Sequence, residues 1–251
     1  MKISIITLFP KMVSCFFDES IMRRAQEKNL VEIEIINLRD FATDSYGTVD
    51  EKPYGGGAGM VMKVEPIYDA IQRSKILDLR SKIIYTSPKG KVFDQKKAQE
   101  YSKLDHLIIL AGHYEGVDER VMDMIDEEVS LGDFVMTGGE ITSAAIVDSI
   151  VRLIPGVLKK EEAIQIESFF EVSIDRLIEV IGENEILMKL KEKNIKIVKL
   201  LEYPQYTRPE EFKGKKVPVE LLSGNHQEIE KWRIKKAYEE TLKKRPDLFN
   251  Y

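Results

Sequence analysis

The sequence has few of the residues that build covalent cross-links, metal cages and membrane spans. Cys15 is the only cysteine among 251 residues, which excludes an internal disulfide framework and a cysteine-based zinc cage. The three histidines are scattered without the spacing of metal ligands, and nothing resembles a serine triad. No apolar run approaches the roughly 20 residues that a membrane-spanning helix needs. We therefore expect neither a protein metal cage nor a membrane partner.

Compositional bias is also absent. Hydrophobic residues make up 43% and charged residues 32% of the chain, which excludes the disordered and collagen-like classes. The segment 1–9, which resembles a short signal core, stops at Pro10 and Lys11 without a small-residue cleavage site, so it does not predict a signal peptide. We expect a cytoplasmic protein. Cys15 lies in an apolar stretch and is expected in the core, and His106 is expected to be structural.

Charge is distributed unevenly along the chain. The net charge of -5 argues by itself against a nucleic-acid partner. Residues 212–251, however, carry ten Lys or Arg against six Asp or Glu, concentrated at 231–236 and 243–245. Two interpretations remain open for this segment: a solvated helix face, or a surface that contacts phosphates.

Alternating strand and helix patterns in the first two thirds of the chain predict an α/β fold. The β-branched run 3–8 and the alternating run 31–36 are typical of strands. The apolar runs 82–86 and 106–111 end in turn residues and suit buried parallel strands. Between these two runs, residues 94–101 open with an N-cap candidate and continue as a helix. Strands separated by helices imply βαβ units.

Beyond Pro155 the sequence changes character. Residues 159–202 are dense in charge and contain a stripe of apolar residues at helical spacing between 174 and 181. From about residue 203 the chain is polar and basic, and residues 228–244 are a long helix candidate. We interpret this part as a linker followed by a small helical C-terminal domain.

Four glycine-bearing turns are the candidates for a ligand site: residues 53–60, 87–90, 111–120 and 130–140. The first has four glycines in five positions but lacks the spacing of phosphate-binding and dinucleotide loops. Ligands of open α/β sheets bind beyond the carboxyl ends of strands, where the other three turns would form one pocket. For any one turn a tight turn or surface loop without function remains the alternative, but all of them together in an α/β chain favour a ligand site.

Six motifs stand in the order seen in one known family. They are PYGGGAGM (53–60), GHYEGVDER (112–120), IDEEVSLGDFVMTGGE (125–140), VRLIPGVL (151–158), YPQYTRPEEF (203–212) and LLSGNHQEIEKWR (221–233). Over nearly its whole length the chain resembles the bacterial tRNA (guanine-N1)-methyltransferases, which methylate guanosine 37 beside the anticodon.

The resemblance implies a fold and an assembly. Residues 1–160 would form a SPOUT-type α/β methyltransferase domain with a deep trefoil knot, one of the rare exceptions to unknotted topology. Residues 161–202 would be the interdomain linker with its extended helical insert, and residues 203–251 a small all-α domain that binds tRNA. The family is an obligate homodimer with a composite active site.

The resemblance also implies S-adenosylmethionine as cofactor, bound in the knot at the dimer interface. Mg2+ would support methyl transfer as a loosely held ion, since no protein cage for it is visible. The positions that correspond to the family's cofactor residues are Tyr85, Thr86, Ser87, Pro88, Gly112, Tyr114, Glu115, Gly116, Leu131, Gly132, Asp133, Phe134, Val135, Met136, Gly138 and Gly139.

Two residues are implied in catalysis. Arg152 matches the arginine that stabilises the guanine O6, and Glu167 stands where the family has the aspartate general base of an Asp-Ser-Phe triplet, supplied by the opposite subunit. Because of this departure and the long insert, Asp175 and the lack of a dedicated base remain alternatives. His113 also departs from the family, which usually has arginine there.

The implied tRNA contacts lie in both parts of the chain. Asp50, Gly57 and Gly59 would lie near the target base, and Arg208 and Lys235 would grip the anticodon branch. The target guanine must leave its stack before it can react. Two other functions remain open: a knotted methyltransferase that acts on ribosomal RNA, and a catalytically inactive RNA-binding protein.

Overall fold

The computed structural model describes residues 1–75, 80–158 and 167–249. The chain divides into two compact units, Met1–Lys159 and Lys160–Tyr251, which are described separately. The predicted boundary between residues 160 and 161 lies outside the described residues. No helix in the described ranges is long and apolar enough to cross a membrane.

The first unit is a mixed α/β structure. It contains strands, α-helices and two short 3-10 helices, Leu38–Phe41 and Glu119–Met124. Its strands and helices, in chain order, are β1 (Lys2–Thr7), α1 (Pro10–Ser14), α2 (Ser20–Glu27), β2 (Glu32–Asn37), β3 (Asp50–Glu51), β4 (Val61–Met62), α3 (Val64–Ser74), β5 (Ser81–Val92), α4 (Gln95–Tyr101), β6 (His106–Ala111), β7 (Glu127–Ser130) and α5 (Glu140–Val151).

A five-stranded parallel sheet forms the centre of the first unit, in the order β2-β1-β6-β5-β7. Every residue of β6 is buried, and its side chains alternate between two hydrophobic clusters, Ile109 in one and Ile108 and Leu110 in the other. Residues of α1, α2, α4 and α5 belong to the first cluster, and residues of α3 to the second. The sheet is therefore covered on both faces, as the predicted buried parallel strands require.

Strand β5 is longer than its sequence pattern predicts. The apolar run ends at Thr86, but pairing with β7 resumes at Lys91 after a register shift. Pro88 has no N–H for the ladder, which accounts for the interruption. Gly90 passes so close to β7 that a Cβ there would lie 2.4 Å from the backbone nitrogen of Val129. The predicted turn at 87–90 is thus an irregular section inside a strand.

The sequence predicts a structural role for His106 and a buried position for Cys15. His106 is fully buried, with Nε2 3.0 Å from Ser4 Oγ and Nδ1 2.8 Å from Ser81 Oγ, which confirms its structural role. Burial lowers its pKa. The expectation that Cys15 is buried is wrong: Cys15 is exposed at the C-cap of α1, because Val13 and Phe17 are the residues of this turn that face the core.

The described residues of the second unit form helices and two short antiparallel strand pairs, β8 with β9 and β10 with β11. The helices at 174–181 and near the C-terminus confirm the predicted helical patterns. The described elements are β8 (Phe170–Ser173), α6 (Ile174–Ile181), α7 (Glu185–Glu192), β9 (Ile197–Leu200), β10 (Glu211–Phe212), β11 (Lys215–Lys216), α8 (Val219–Leu222), α9 (His226–Lys244) and a 3-10 turn at Pro246–Phe249.

One hydrophobic core joins the predicted insert to the predicted C-terminal domain. Leu177 of α6 and Val198 of β9 are fully buried in the same cluster as Trp232 and Tyr238 of α9. The apolar stripe of α6 requires such a partner, because a short helix is stabilised mainly by tertiary packing. An all-α domain over 203–251 is not confirmed, since β10 and β11 form a short antiparallel pair there. The limits 161–202 and 203–251 stay predictions.

Candidate active site

Three chain segments meet at the interruption of β5 and beyond the carboxyl ends of β6 and β7. Residues 86–90 interrupt β5, residues 112–118 follow β6, and residues 131–139 connect β7 to α5. These strands are neighbours in the order β6-β5-β7, so the segments emerge side by side at one edge of the sheet. This edge is where open α/β sheets bind ligands.

Close packing of two glycines against Thr86 holds the three segments together. The Gly139 N–H donates to the Gly112 carbonyl over 2.6 Å, and the Gly112 N–H donates to Thr86 Oγ1 over 3.1 Å. A Cβ on Gly139 would lie 1.9 Å from Thr86 Oγ1 and 2.7 Å from the Gly112 nitrogen. Any side chain at position 139 therefore forces the segments apart.

A cavity lies between these segments and brings most of the predicted cofactor residues together. Asp133 is exposed and does not line it, because Phe134 N–H donates to the Gly132 carbonyl and leaves Asp133 at the apex of a tight turn. The predicted residues that do line the cavity are Tyr85, Thr86, Ser87, Pro88, Gly112, Tyr114, Glu115, Gly116, Leu131, Gly132, Phe134, Val135, Met136, Gly138 and Gly139.

The cavity also contains residues that the sequence analysis missed. Glu119 and Glu128 line it, and together with Glu115 they outnumber the single lysine of the lining, Lys89. Glu128 is the register partner of Tyr85 on the neighbouring strand, a relation that depends on strand order and has no signal in the sequence. Glu128 Oε2 is buried and has no hydrogen-bond partner among the described residues. The lining therefore favours a ligand that carries positive charge or hydrogen-bond donors.

Tyr85 is the best-shielded titratable group of the cavity. Burial, reinforced by the negative charge of Glu128, raises the pKa of Tyr85 to about 12. A hydrogen bond with the backbone of Val117 acts in the opposite direction. The phenol is consequently neutral at physiological pH and serves as a packing surface and a hydrogen-bonding group.

A buried carboxylate lies beneath the cavity. Glu140, in the first turn of α5, accepts a hydrogen bond from Thr7 Oγ1 over 2.8 Å. Its other oxygen, Oε2, is 3.7 Å from His113 Nδ1, and neither of these two atoms has a hydrogen-bond partner in the described ranges. His113 also packs on Phe9 at 4.8 Å between ring centroids. Glu140 thus connects the end of β1 to the segments that line the cavity.

The first glycine-bearing turn contacts the segment after β6. The Glu115 N–H donates to the Met60 carbonyl over 3.0 Å, and a Cβ on Gly59 would lie 2.5 Å from Glu115 Oε1. Asp50 pairs with Met62 in the short β3–β4 ladder, while Gly57 is exposed with a φ of +129°. The structure therefore brings Asp50 and Gly59 near the cavity segment, and Gly57 lies on the same loop.

The candidate catalytic residues belong to different units. Arg152 is half-buried at the C-cap of α5 in the first unit, and Glu167 is half-buried just before β8 in the second. The alternative base Asp175 is exposed in the first turn of α6, with Lys191 Nζ 3.3 Å from its carboxylate. A helix N-terminus and a lysine partner give Asp175 a structural explanation.

The predicted tRNA-binding residues of the second unit are exposed. Arg208 lies in the bend before β10, and Lys235 lies on α9. Neighbouring basic side chains of α9 differ in their contacts: Arg233 stacks on Tyr203 at 5.0 Å, and Lys236 pairs with Glu239 at 2.6 Å. Both interpretations of the basic segment, a solvated face and a phosphate-contacting surface, are compatible with this exposure.

Metal coordination finds no support in the described ranges. They contain no group of three or more His, Cys, Asp or Glu side chains placed to hold an ion. The Mg2+ expected from the family resemblance stays a prediction.

Substitution Tyr85→Phe should make the first unit less sensitive to alkaline pH. The unfolded chain loses its tyrosine protons near pH 10, whereas folded Tyr85 keeps its proton up to about pH 12. The stability that this group contributes is therefore complete below pH 10 and is lost as pH rises towards 12. Between pH 10 and 12 the free energy of unfolding of the wild-type protein should fall by about 2 kcal/mol because of this group, and in Tyr85→Phe this part of the fall should be absent. Denaturant unfolding at each pH measures the difference. The fully exposed Tyr54 provides the control, and equal alkaline losses in Tyr85→Phe and Tyr54→Phe would contradict the assignment.

Comparison with known proteins gives one consistent result. The family model "tRNA (Guanine-1)-methyltransferase TrmD" matches residues 1–251. Curated relatives named tRNA (guanine-N(1)-)-methyltransferase include that of Clostridium beijerinckii, 50% identical over 99% of this chain and 92% of the relative. The relatives from Dictyoglomus turgidum and Geobacter sp. are each 48% identical, over 99% and 100% of this chain and 89% and 90% of their own length. The chain therefore belongs to the tRNA (guanine-1)-methyltransferase family.

Proposed function

We propose that this protein transfers a methyl group from S-adenosylmethionine to N1 of guanosine 37 in tRNA. The observation that carries the proposal is the cavity at the interruption of β5 and the carboxyl ends of β6 and β7, which gathers the motif residues of the family in one place. Family membership over the whole chain supports the tRNA guanine as substrate. The reaction would take place in the cytoplasm.

The proposed assembly is a homodimer whose SPOUT-type methyltransferase domain contains a deep trefoil knot. Support comes from apolar side chains beside the cavity that stay open to solvent in a single chain. Phe134 is 55% and Val135 86% exposed, although both line the cavity. Apolar side chains in such a position are what a second subunit would cover.

The cavity residues fit the proposed cofactor. The backbone groups of the glycine-bearing segments suit an adenosine, and the acidic side chains Glu115, Glu119 and Glu128 suit its cationic methionine end. When bound, S-adenosylmethionine supplies an activated methyl group on its sulfonium. The role of this chain is then to hold donor and acceptor in line and to exclude water.

Proton removal is the chemical problem that the side chains must solve. Guanine N1 carries a proton at neutral pH and is a poor nucleophile. We assign the removal of this proton to the Glu167 carboxylate, and the stabilisation of the negative charge that develops on O6 to the Arg152 guanidinium. Asp175, exposed in the first turn of α6, is the alternative candidate for the base.

The proposed tRNA contacts use the exposed residues of both units. Asp50, Gly57 and Gly59 would lie beside the unstacked guanine, and Arg208 and Lys235 would contact the anticodon branch through phosphates. Affinity for tRNA should accordingly fall as salt rises. Mg2+ is proposed only as a loosely held ion, and no step is assigned to it.

Replacement of the proposed base should slow methyl transfer strongly without changing substrate choice. Labelled S-adenosylmethionine is supplied with tRNA transcripts that carry G37 or A37, and methyl transfer is counted. The wild-type protein should modify G37 only. Glu167→Gln should lower the rate by about 10²- to 10⁴-fold, because general-base catalysis contributes that much.

Asp175→Asn is the matched control, since it makes the same carboxylate-to-amide change on an exposed residue of the same unit. Its rate should stay near the wild-type rate. Absence of transfer by the wild-type protein would overturn the proposed function and favour an RNA-binding protein. Loss of transfer in Asp175→Asn alone would move the base to Asp175.

Substitution Gly139→Ala should weaken cofactor binding. The new Cβ would overlap Thr86 Oγ1, and overpacking of this kind typically costs about 1–3 kcal/mol, which lowers the affinity about 5- to 150-fold if the whole cost falls on cofactor binding. Titration calorimetry with S-adenosylmethionine measures the effect. Gly214→Ala is the control, because Gly214 has a φ of +77° but open space around it and lies in the second unit. Wild-type affinity in Gly139→Ala would show that the cavity does not bind the cofactor.

A further inference from the structure

The residues that follow the proposed base are fixed by backbone hydrogen bonds. The Phe170 N–H donates to the Glu167 carbonyl over 3.0 Å, which closes a four-residue turn over Glu167–Phe170. The Phe169 N–H donates to the Leu200 carbonyl over 2.7 Å and extends the ladder between β8 and β9 by one bond. The turn that carries Glu167 is therefore continuous with a two-stranded sheet.

A side-chain hydrogen bond holds the same turn from its other side. Ser168 Oγ accepts the Glu202 N–H over 3.1 Å, just past the end of β9. The adjacent Leu201 N–H donates to Thr241 Oγ1 over 2.8 Å, and Thr241 is fully buried on α9. Through these two bonds the chain after β9 connects the turn to the longest helix of the second unit.

The backbone of the turn is strained at Phe169. This residue has a φ of +76°, in the left-handed region that a bulky side chain rarely adopts. The Arg245 guanidinium lies 6.0 Å from the centre of its ring. Strain of this kind persists only where surrounding contacts fix the conformation, and it is concentrated at functional sites.

Residues 170–200, which we call the insert module, form a packed unit and not a loose connection. Along the chain its two strands flank α6 and α7. Leu177, Leu187 and Val198 are fully buried in the hydrophobic core of the second unit. Both ends of the module meet at the turn, because β8 begins there and β9 ends beside it. The module can hold the turn in place without tRNA.

We propose that the insert module fixes the main chain of Glu167 for catalysis, with Ser168 as a positioning residue. The inference rests on the proposed role of Glu167 as the base. A glutamate has one more rotatable bond than an aspartate, so a fixed main chain matters more for where its carboxylate lies. Misplacement of a catalytic group by about 1 Å can cost on the order of 10²-fold in rate.

The test compares Ser168→Ala with Ser173→Ala in the full-length protein. Both changes remove one hydroxyl that accepts a backbone N–H: Ser168 accepts from Glu202, whereas Ser173, at the opposite end of β8, accepts from Arg176 over 3.2 Å and caps α6. Ser168→Thr, which keeps the hydroxyl, is the rescue variant. Methyl transfer to G37 transcripts gives kcat and KM, and hydrogen–deuterium exchange without tRNA gives the protection of the Glu202 amide.

Ser168→Ala should lower kcat by about tenfold, leave KM for tRNA and for S-adenosylmethionine within about twofold, and speed exchange at Glu202. Ser168→Thr and Ser173→Ala should keep kcat near the wild-type value. Equal kcat in Ser168→Ala and Ser173→Ala, whether both high or both low, would overturn the inference, because the effect would then be absent or merely structural. Wild-type kcat in Glu167→Gln would instead overturn the assignment of the base, and this inference with it.

Discussion

The packing of Gly139 and Gly112 against Thr86 is the contact on which the rest of the site depends. Two hydrogen bonds run through it, from Gly139 to Gly112 and from Gly112 to Thr86, and no side chain fits at position 139. It joins the segments of three neighbouring strands at one edge of the sheet. Both positions require glycine, because a Cβ at either one would lie less than 3 Å from atoms of a neighbouring segment.

In the second unit, hydrogen bonds fix the turn that carries Glu167. One bond runs to the Leu200 carbonyl and one from the Glu202 N–H to Ser168, and Glu167 is the proposed base. Arg152 and the cavity belong to the first unit, whereas this turn belongs to the second.

Much of the fold could be predicted from the sequence, because apolar runs such as 106–111 are the direct signature of buried parallel strands. The cavity segments could be located by their glycines and motifs. Strand order could not, so Glu128 beside Tyr85 was missed. Cys15 was misplaced because an apolar neighbourhood does not say which residue of a turn faces the core. The shared core of the insert and α9 depends on tertiary packing, which periodicity alone does not reveal.

Direct photolabelling with S-adenosylmethionine tests most directly whether the three segments form the cofactor site. The protein is irradiated with methyl-labelled cofactor, digested, and the labelled peptides are identified by mass spectrometry. The account predicts label on residues 85–88, 112–117 and 131–139, with competition by unlabelled cofactor. Competed label confined to peptides outside these segments would contradict it.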